Sequence, residues 1–186
     1  MVEGTKITVQ PTDVSVTMAN MTARVNIVAE GESLSYQWYL KNPNATKLSK
    51  SSITSDTYSV KMSEVNNGRQ VYCVVTDQFG NSVRSDIISL SIKLAIKEQP
   101  TDVYARIGEK VSTSVVAEGD GSTYQWYLKN KTGTKFTTSS VKKDTYVTTM
   151  SNTVDGRQLY CVVTDQYGNT ATTTTVTLYT LIFPIS

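Results

Sequence analysis

The sequence contains no histidine. This excludes histidine triads, imidazole general-base catalysis and His-ligated zinc together. Cysteine is almost as scarce, since Cys73 and Cys161 are the whole supply, too few for the disulfide framework of a small secreted fold. Long apolar runs are missing too. The nearest, Leu181-Ile182-Phe183-Pro184-Ile185, falls far short of the roughly 20 residues that span a bilayer, so no membrane insertion is expected. The opening Met1-Val2-Glu3-Gly4-Thr5-Lys6 has neither the basic nor the apolar region of a secretory signal. No excess of one charge exists either, with 18 basic and 16 acidic residues. Residues 1–92 hold 8 of each, and residues 93–186 hold 10 basic and 8 acidic. A nucleic-acid partner is therefore not expected; Lys142-Lys143 runs straight into Asp144 and reads as a solvated loop.

What fills the chain instead is Ser, Thr and Asn, with only 18% charged residues, a composition suited to solvent-facing strand positions and turns. Self-similarity then decides the organisation. Tyr36-Gln37-Trp38-Tyr39-Leu40-Lys41-Asn42 returns as Tyr124-Gln125-Trp126-Tyr127-Leu128-Lys129-Asn130, and Asp56-Thr57-Tyr58 as Asp144-Thr145-Tyr146. Gly68-Arg69-Gln70 and Tyr72-Cys73-Val74-Val75-Thr76-Asp77-Gln78 return at 156–158 and 160–166, all 88 positions on. Pro11-Thr12-Asp13-Val14 returns at Pro100 with an offset of 89, which places one extra residue of the first copy around Ala19-Asn20-Met21. One register held over so many segments means two copies of one domain, 1–93 and 94–186. Without Gly, Ser or Pro slack between Ile92 and Pro100, an end-to-end pair of limited flexibility is expected.

Within a copy the apolar period is two. Val25, Ile27 and Ala29 share a face; so do Tyr36, Trp38 and Leu40; Tyr58, Val60 and Met62; Val71, Cys73 and Val75; and Ile88, Leu90 and Ile92. Asp77-Gln78-Phe79-Gly80-Asn81 reads as a hairpin turn. Seven or so short strands per copy, with no sustained helical stripe, predict an all-β chain of two tandem sandwiches.

Trp38 and Cys73, like Trp126 and Cys161, stand 35 residues apart, an immunoglobulin-type spacing. With Tyr36-Gln37-Trp38-Tyr39, Asn67-Gly68-Arg69-Gln70, Cys73-Val74-Val75-Thr76-Asp77 and Gly80-Asn81, matched in the second copy save for Asp155 at the place of Asn67, the chain resembles the immunoglobulin-like repeats of large surface proteins of gut Gram-positive bacteria. Similar domains also occur in bacteriophage virion proteins. Two departures stand out. The position of the first disulfide cysteine holds Ile27 and Val115, so no intradomain disulfide is expected and Trp38, Cys73, Trp126 and Cys161 are assigned to the cores. The corner-tyrosine position holds Val71 and Leu159, and the tyrosine has moved one place, to Tyr72 and Tyr160, which strand parity turns outward.

Candidate sites are few. Tyr39 and Tyr72, and Tyr127 and Tyr160, are expected on outer sheet faces near Gln37 and Val74 or Gln125 and Val162. There they form either a cross-strand stabilising pair or a face for glycan or protein contacts. The Asp77 turn has too few carboxylates for a calcium loop, and the two thiols, in apolar strands without histidine, read as inert. Asn20-Met21-Thr22, Asn44-Ala45-Thr46 and Asn130-Lys131-Thr132 match the glycosylation acceptor pattern at about the rate chance would give in so Ser/Thr/Asn-rich a chain. No catalytic residue, metal or cofactor is assigned. The resemblance implies a non-catalytic spacer or adhesion module of a larger exported protein at the cell surface, meeting host glycans or surface proteins. The alternative is a capsid or tail decoration protein at the virion surface, where a start without an export signal and the apolar 181–186 tail, docking on a capsid or tail protein, would fit.

Overall fold

A computed structural model of the chain describes residues 4–181; the greater part of the 181–186 tail lies outside them. The chain divides into two compact units, Met1–Lys93 and Leu94–Ser186. The first contains β1 (Lys6–Val9), β2 (Val14–Val16), β3 (Thr22–Asn26), β4 (Val28–Glu30), β5 (Ser35–Lys41), β6 (Ser49–Lys50), β7 (Thr57–Lys61), β8 (Arg69–Thr76), β9 (Ser82–Arg84) and β10 (Ile88–Ile92). The second repeats the plan with β11 (Ala95–Glu98), β12 (Val103–Ala105), β13 (Lys110–Ser114), β14 (Val116–Glu118), β15 (Thr123–Lys129), β16 (Thr137–Thr138), β17 (Thr145–Thr149), β18 (Arg157–Thr164), β19 (Thr170–Thr172) and β20 (Val176–Thr180).

Ten segments per unit reduce to seven strands once three interruptions are read as bends. Between β1 and β2 the chain changes sheets: β1 pairs with β4, whereas β2 lies parallel to β10. Pro11, buried at the crossing, has no N–H to offer a ladder. The flanking side chains hold the switch. Gln10 accepts the Asp86 N–H at 3.0 Å and Asp13 the Ser89 N–H at 2.7 Å. Gln99 and Asp102 do the same for Thr174 and Thr177 at 2.9 and 2.7 Å. The repeated Gln-Pro-Thr-Asp text is thus a sheet-switching device. The other bends fall at Ile27, between β3 and β4, and at 85–87, between β9 and β10.

The larger sheet of each unit runs β2-β10-β8-β5-β6 with β9 on β8, and β12-β20-β18-β15-β16 with β19 on β18. Opposite it stand the pairs β1–β4 and β3–β7, and β11–β14 and β13–β17. Alternation places Trp38, Val71, Cys73, Val75 and Leu90, and their equivalents, in the cores. This is an all-β chain of two tandem immunoglobulin-like sandwiches. Both cysteines are free and buried. Ile27 and Val115, each 2% exposed, fill the disulfide position, and burying such a side chain stabilises by about 1.5–3 kcal/mol. That is comparable with the roughly 2–4 kcal/mol of a disulfide, so the pin is dispensable.

Polar bonds add to the pinning between sheets. The Trp38 indole N–H donates to Ser55 O at 2.8 Å, and Trp126 to Lys143 O at 2.8 Å. Arg69 in β8 donates to the buried Tyr58 hydroxyl of β7 at 2.8 Å and to Asn42 Oδ1 at 2.7 Å. Arg157 repeats this with Tyr146 at 3.1 Å and Asn130 at 2.8 Å. The extra residue of the first copy lies in the turn before β3. There Asn20, at φ 66°, takes the left-handed place that Gly108, at φ 91°, holds in the second; asparagine tolerates it better than most residues.

Candidate functional site

β5 and β8 pair so that Tyr39 faces Tyr72 and Gln37 faces Val74, while Trp38 faces Cys73 on the inner side. Because successive side chains alternate, burying Trp38 and Cys73 forces the two tyrosines outward. Their rings stack at 5.1 Å with planes 9° apart. In the second unit Tyr127 and Tyr160 are paired by the same register and stack at 4.9 Å and 8°. All four are half-buried. The sequence-assigned residues are therefore brought together in pairs, and each pair has the geometry of a cross-strand aromatic contact.

The flanks of the pairs differ. In the first unit, Lys50 of β6 lies over the Tyr39 ring at 6.0 Å and Arg84 of β9 over the Tyr72 ring at 5.5 Å. Four side chains from four adjacent strands thus form one ladder, cation–ring–ring–cation, and both faces of both rings are engaged. In the second unit Thr138 and Thr172 stand at the equivalent positions. Phe136 meets Tyr160 edge-on at 4.9 Å, and Lys129 lies 5.1 Å from the Phe136 ring. Alternation along β5 and β8 identifies the tyrosines. It does not reach Lys50 and Arg84, which sit on short edge strands with no period to read, or Phe136, which stands just before β16.

A further pair escapes sequence reasoning. Tyr104 of β12 and Tyr179 of β20, both exposed, stack at 5.0 Å and 17°. They meet only because those strands pair in parallel, Tyr104 opposite Tyr179. The first unit has Ser15 opposite Ser91 there.

The Asp77 turn is a closed hydrogen-bond unit. Its Oδ1 accepts the N–H of Phe79 and of Asn81, each at 2.9 Å, and Oδ2 accepts the Asn81 amide at 2.9 Å and the Thr5 hydroxyl at 2.7 Å. The Asn81 and Thr5 bonds hold its carboxyl below the ordinary carboxylate range. Asp165 receives the N–H groups of Tyr167 and Asn169 and the Asn169 amide in the same way. Gly80, at φ 86°, and Gly168, at φ 83°, supply the left-handed residue that lets the hairpin close. With its acceptor sites turned inward, this carboxylate serves the turn.

The thiols are chemically quiet. Burial pushes Cys73 and Cys161 up to about 11, so at neutral pH neither offers a thiolate. Each sits in a matched backbone setting. The Cys73 N–H donates to Ser85 Oγ and the Cys161 N–H to Thr173 Oγ1, both at 2.9 Å. Of the glycosylation-type asparagines, Asn130 is tied to Arg157 and Asn20 occupies the strained turn.

No family model matches the sequence, and no curated protein matches it. Solved structures do. Extracellular domains 3–5 of Drosophila OTK are 17% identical, with a TM-score of 0.44, over 97% of this chain and 63% of that one. A structure described as the basis of Dscam isoform specificity is 15% identical, with a TM-score of 0.43, over 96% of this chain and 46% of that one. The Ig1-2 module of Drosophila receptor protein tyrosine phosphatase DLAR is 16% identical, with a TM-score of 0.38, over 97% of this chain and all of that one. The chain spans less than two thirds of the first two. At these identities the likeness is one of fold.

Proposed function

We propose that the chain is a non-catalytic tandem immunoglobulin-like module of a surface-exposed protein, serving as spacer and adhesion element, with recognition carried by the outer face of the larger sheet. The observation that carries this reading is the outward tyrosine pair. It occurs twice, at the same register position and with the same stacking. The bacterial cell-surface setting follows from the resemblance of the repeat text. The absence of histidine and the raised thiols leave the two sandwiches without a histidine- or cysteine-based nucleophile–base pair and support a binding role over a catalytic one. Two copies on one chain raise effective concentration toward a multivalent surface.

The test is a glycan and surface-protein array probed with the full chain and with a variant changing Tyr39, Tyr72, Tyr127 and Tyr160 to Ser, far-UV circular dichroism verifying the fold. Binding by the parent that the variant loses is the expected result. Background signal from both removes the recognition part and leaves a spacer.

A further inference from the structure

Resting on the sheet-face reading above, we propose that the outer face of the first unit takes a linear anionic polysaccharide, one bearing sulfate or carboxylate groups, held at both ends of the Lys50–Tyr39–Tyr72–Arg84 ladder. Charge is the first argument. The six strands of that sheet, β2, β5, β6, β8, β9 and β10, contain no Asp or Glu, yet they carry Lys41, Lys50, Arg69 and Arg84. In a chain with nearly balanced charge, this is a local segregation. Arg69 is spent on Tyr58 and Asn42. The ion pairs Lys97–Glu118 and Lys131–Asp155 involve none of the other three. Asp86, the nearest carboxylate along the chain, stands in the bend after β9, where its N–H is held by Gln10, and makes no ion pair with Arg84.

Geometry is the second argument. Lys50 and Arg84 are exposed and rest on ring faces, so part of the rotamer entropy that a free surface cation loses on binding is already lost. Across the sheet they stand three strand spacings apart, about 14 Å, with Arg84 opposite Val74, two residues along β8 from Tyr72, and two phenol hydroxyls between them. Such a row meets anionic groups spaced along a polymer, with hydroxyl contacts in the interval. Because both ring faces are taken, a nucleobase has no platform to stack on. The surrounding Ser35, Gln37, Gln70, Ser89 and Ser91 offer short hydroxyl and amide groups on an open sheet, which suit a hydroxyl-rich chain.

The test uses the full chain on immobilised heparin, with soluble heparin, neutral dextran, poly-L-glutamate and oligo-dT as competitors. The parent is expected to be retained at low salt and displaced by heparin only. Lys50→Ser/Arg84→Ser is expected to elute at about half the salt or less. Adding Thr138→Lys/Thr172→Arg to that variant is expected to restore retention by rebuilding the ladder on the second unit. The proposal is overturned by parent flow-through at low salt, by retention unchanged in Lys50→Ser/Arg84→Ser, or by equal displacement with poly-L-glutamate or oligo-dT. Should neutral glycans bind the parent, fail to bind the tyrosine variant, and bind the cation variant as well as the parent, the sheet-face reading stands and the anionic ligand falls.

Discussion

Trp38 and Trp126 have surroundings that nearly superimpose, while the residues around the outward tyrosines do not. Inside, each indole donates at 2.8 Å to a carbonyl 17 positions on and tilts against a tyrosine, Tyr58 at 5.6 Å and Tyr146 at 5.8 Å. Outside, Lys50 and Arg84 become Thr138 and Thr172, Leu48 becomes Phe136, and Ser15 and Ser91 become Tyr104 and Tyr179. Close packing penalises any change of volume in a core, whereas an outer face can drift or specialise at little cost. The difference teaches where to look for divergent roles: on the outer faces of the larger sheets.

Two pairs of substitutions test how far the interior symmetry holds. The largest effect is expected from Trp38→Ala and Trp126→Ala. Each should destabilise its own unit by about 3–5 kcal/mol, and the two values should agree closely in urea unfolding. A clear inequality would show that the units are not energetically equivalent inside. Next comes the arginine bridge. Arg69→Ala strips the 2%-exposed Tyr58 hydroxyl of its donor, a loss of about 1–3 kcal/mol. Arg157→Ala should cost less, because the bond to Tyr146 is longer, 3.1 Å against 2.8 Å. Equal losses by calorimetry would break that ranking.

Acid should separate the units by mechanism. In the first, Asn67 Oδ1 accepts the Ile92 N–H at 2.8 Å; in the second, Asp155 Oδ1 accepts the Thr180 N–H at 2.9 Å, and Lys131 lies 3.2 Å from Oδ2. The Thr180 N–H, then Lys131, hold Asp155 below the ordinary carboxylate range, as Asn81 and Thr5 hold Asp77. A carboxyl depressed in the folded state stabilises fully above its unfolded value, about 3.9, and that contribution is lost as pH falls through the folded value. Asp155→Asn should therefore flatten the stability–pH curve of the second unit below pH 4. Thr5→Val should do so for the first. Each should leave the other unit unchanged in a titration followed by hydrogen exchange.

How much of this was legible depended on period. Long strands with strict alternation, β5 and β8 and their copies, disclosed the sandwich, the buried Trp–Cys register and the outward tyrosines. Ile27 and Val115 disclosed the missing disulfide because a residue-for-residue comparison with the resembled pattern was available. Short edge strands disclosed little. β6, β9 and β16 have two or three residues, too few to define a period. Thus Lys50 and Arg84, and Phe136 in the loop just before β16, were invisible as neighbours of the tyrosines. The Tyr104–Tyr179 contact needs a parallel pairing across 75 residues, which no local pattern encodes. The Arg69–Tyr58–Asn42 bridge was present in the repeated letters, but its meaning appears only when two sheets face each other.

The smallest effect is the most discriminating for the outer faces. Tyr72→Ala and Tyr160→Ala each remove one ring from a cross-strand stack, an interaction of about 0.2–1 kcal/mol. Tyr72 also gives up its contact with Arg84, an exposed cation–ring pair of about 0.5–1 kcal/mol. Tyr160 gives up its edge contact with Phe136, an aromatic pair of about 0.5–1.5 kcal/mol. Salt tells the two apart. The Arg84 contribution has a charge component that ionic strength screens, while the Phe136 contribution has none. In double-mutant cycles at low and high salt, the Tyr72–Arg84 coupling should shrink and the Tyr160–Phe136 coupling should stay constant. If both stayed constant, the cations would be resting on the rings through their methylene stems alone, and the first unit's face would be as hydrophobic in character as the second's.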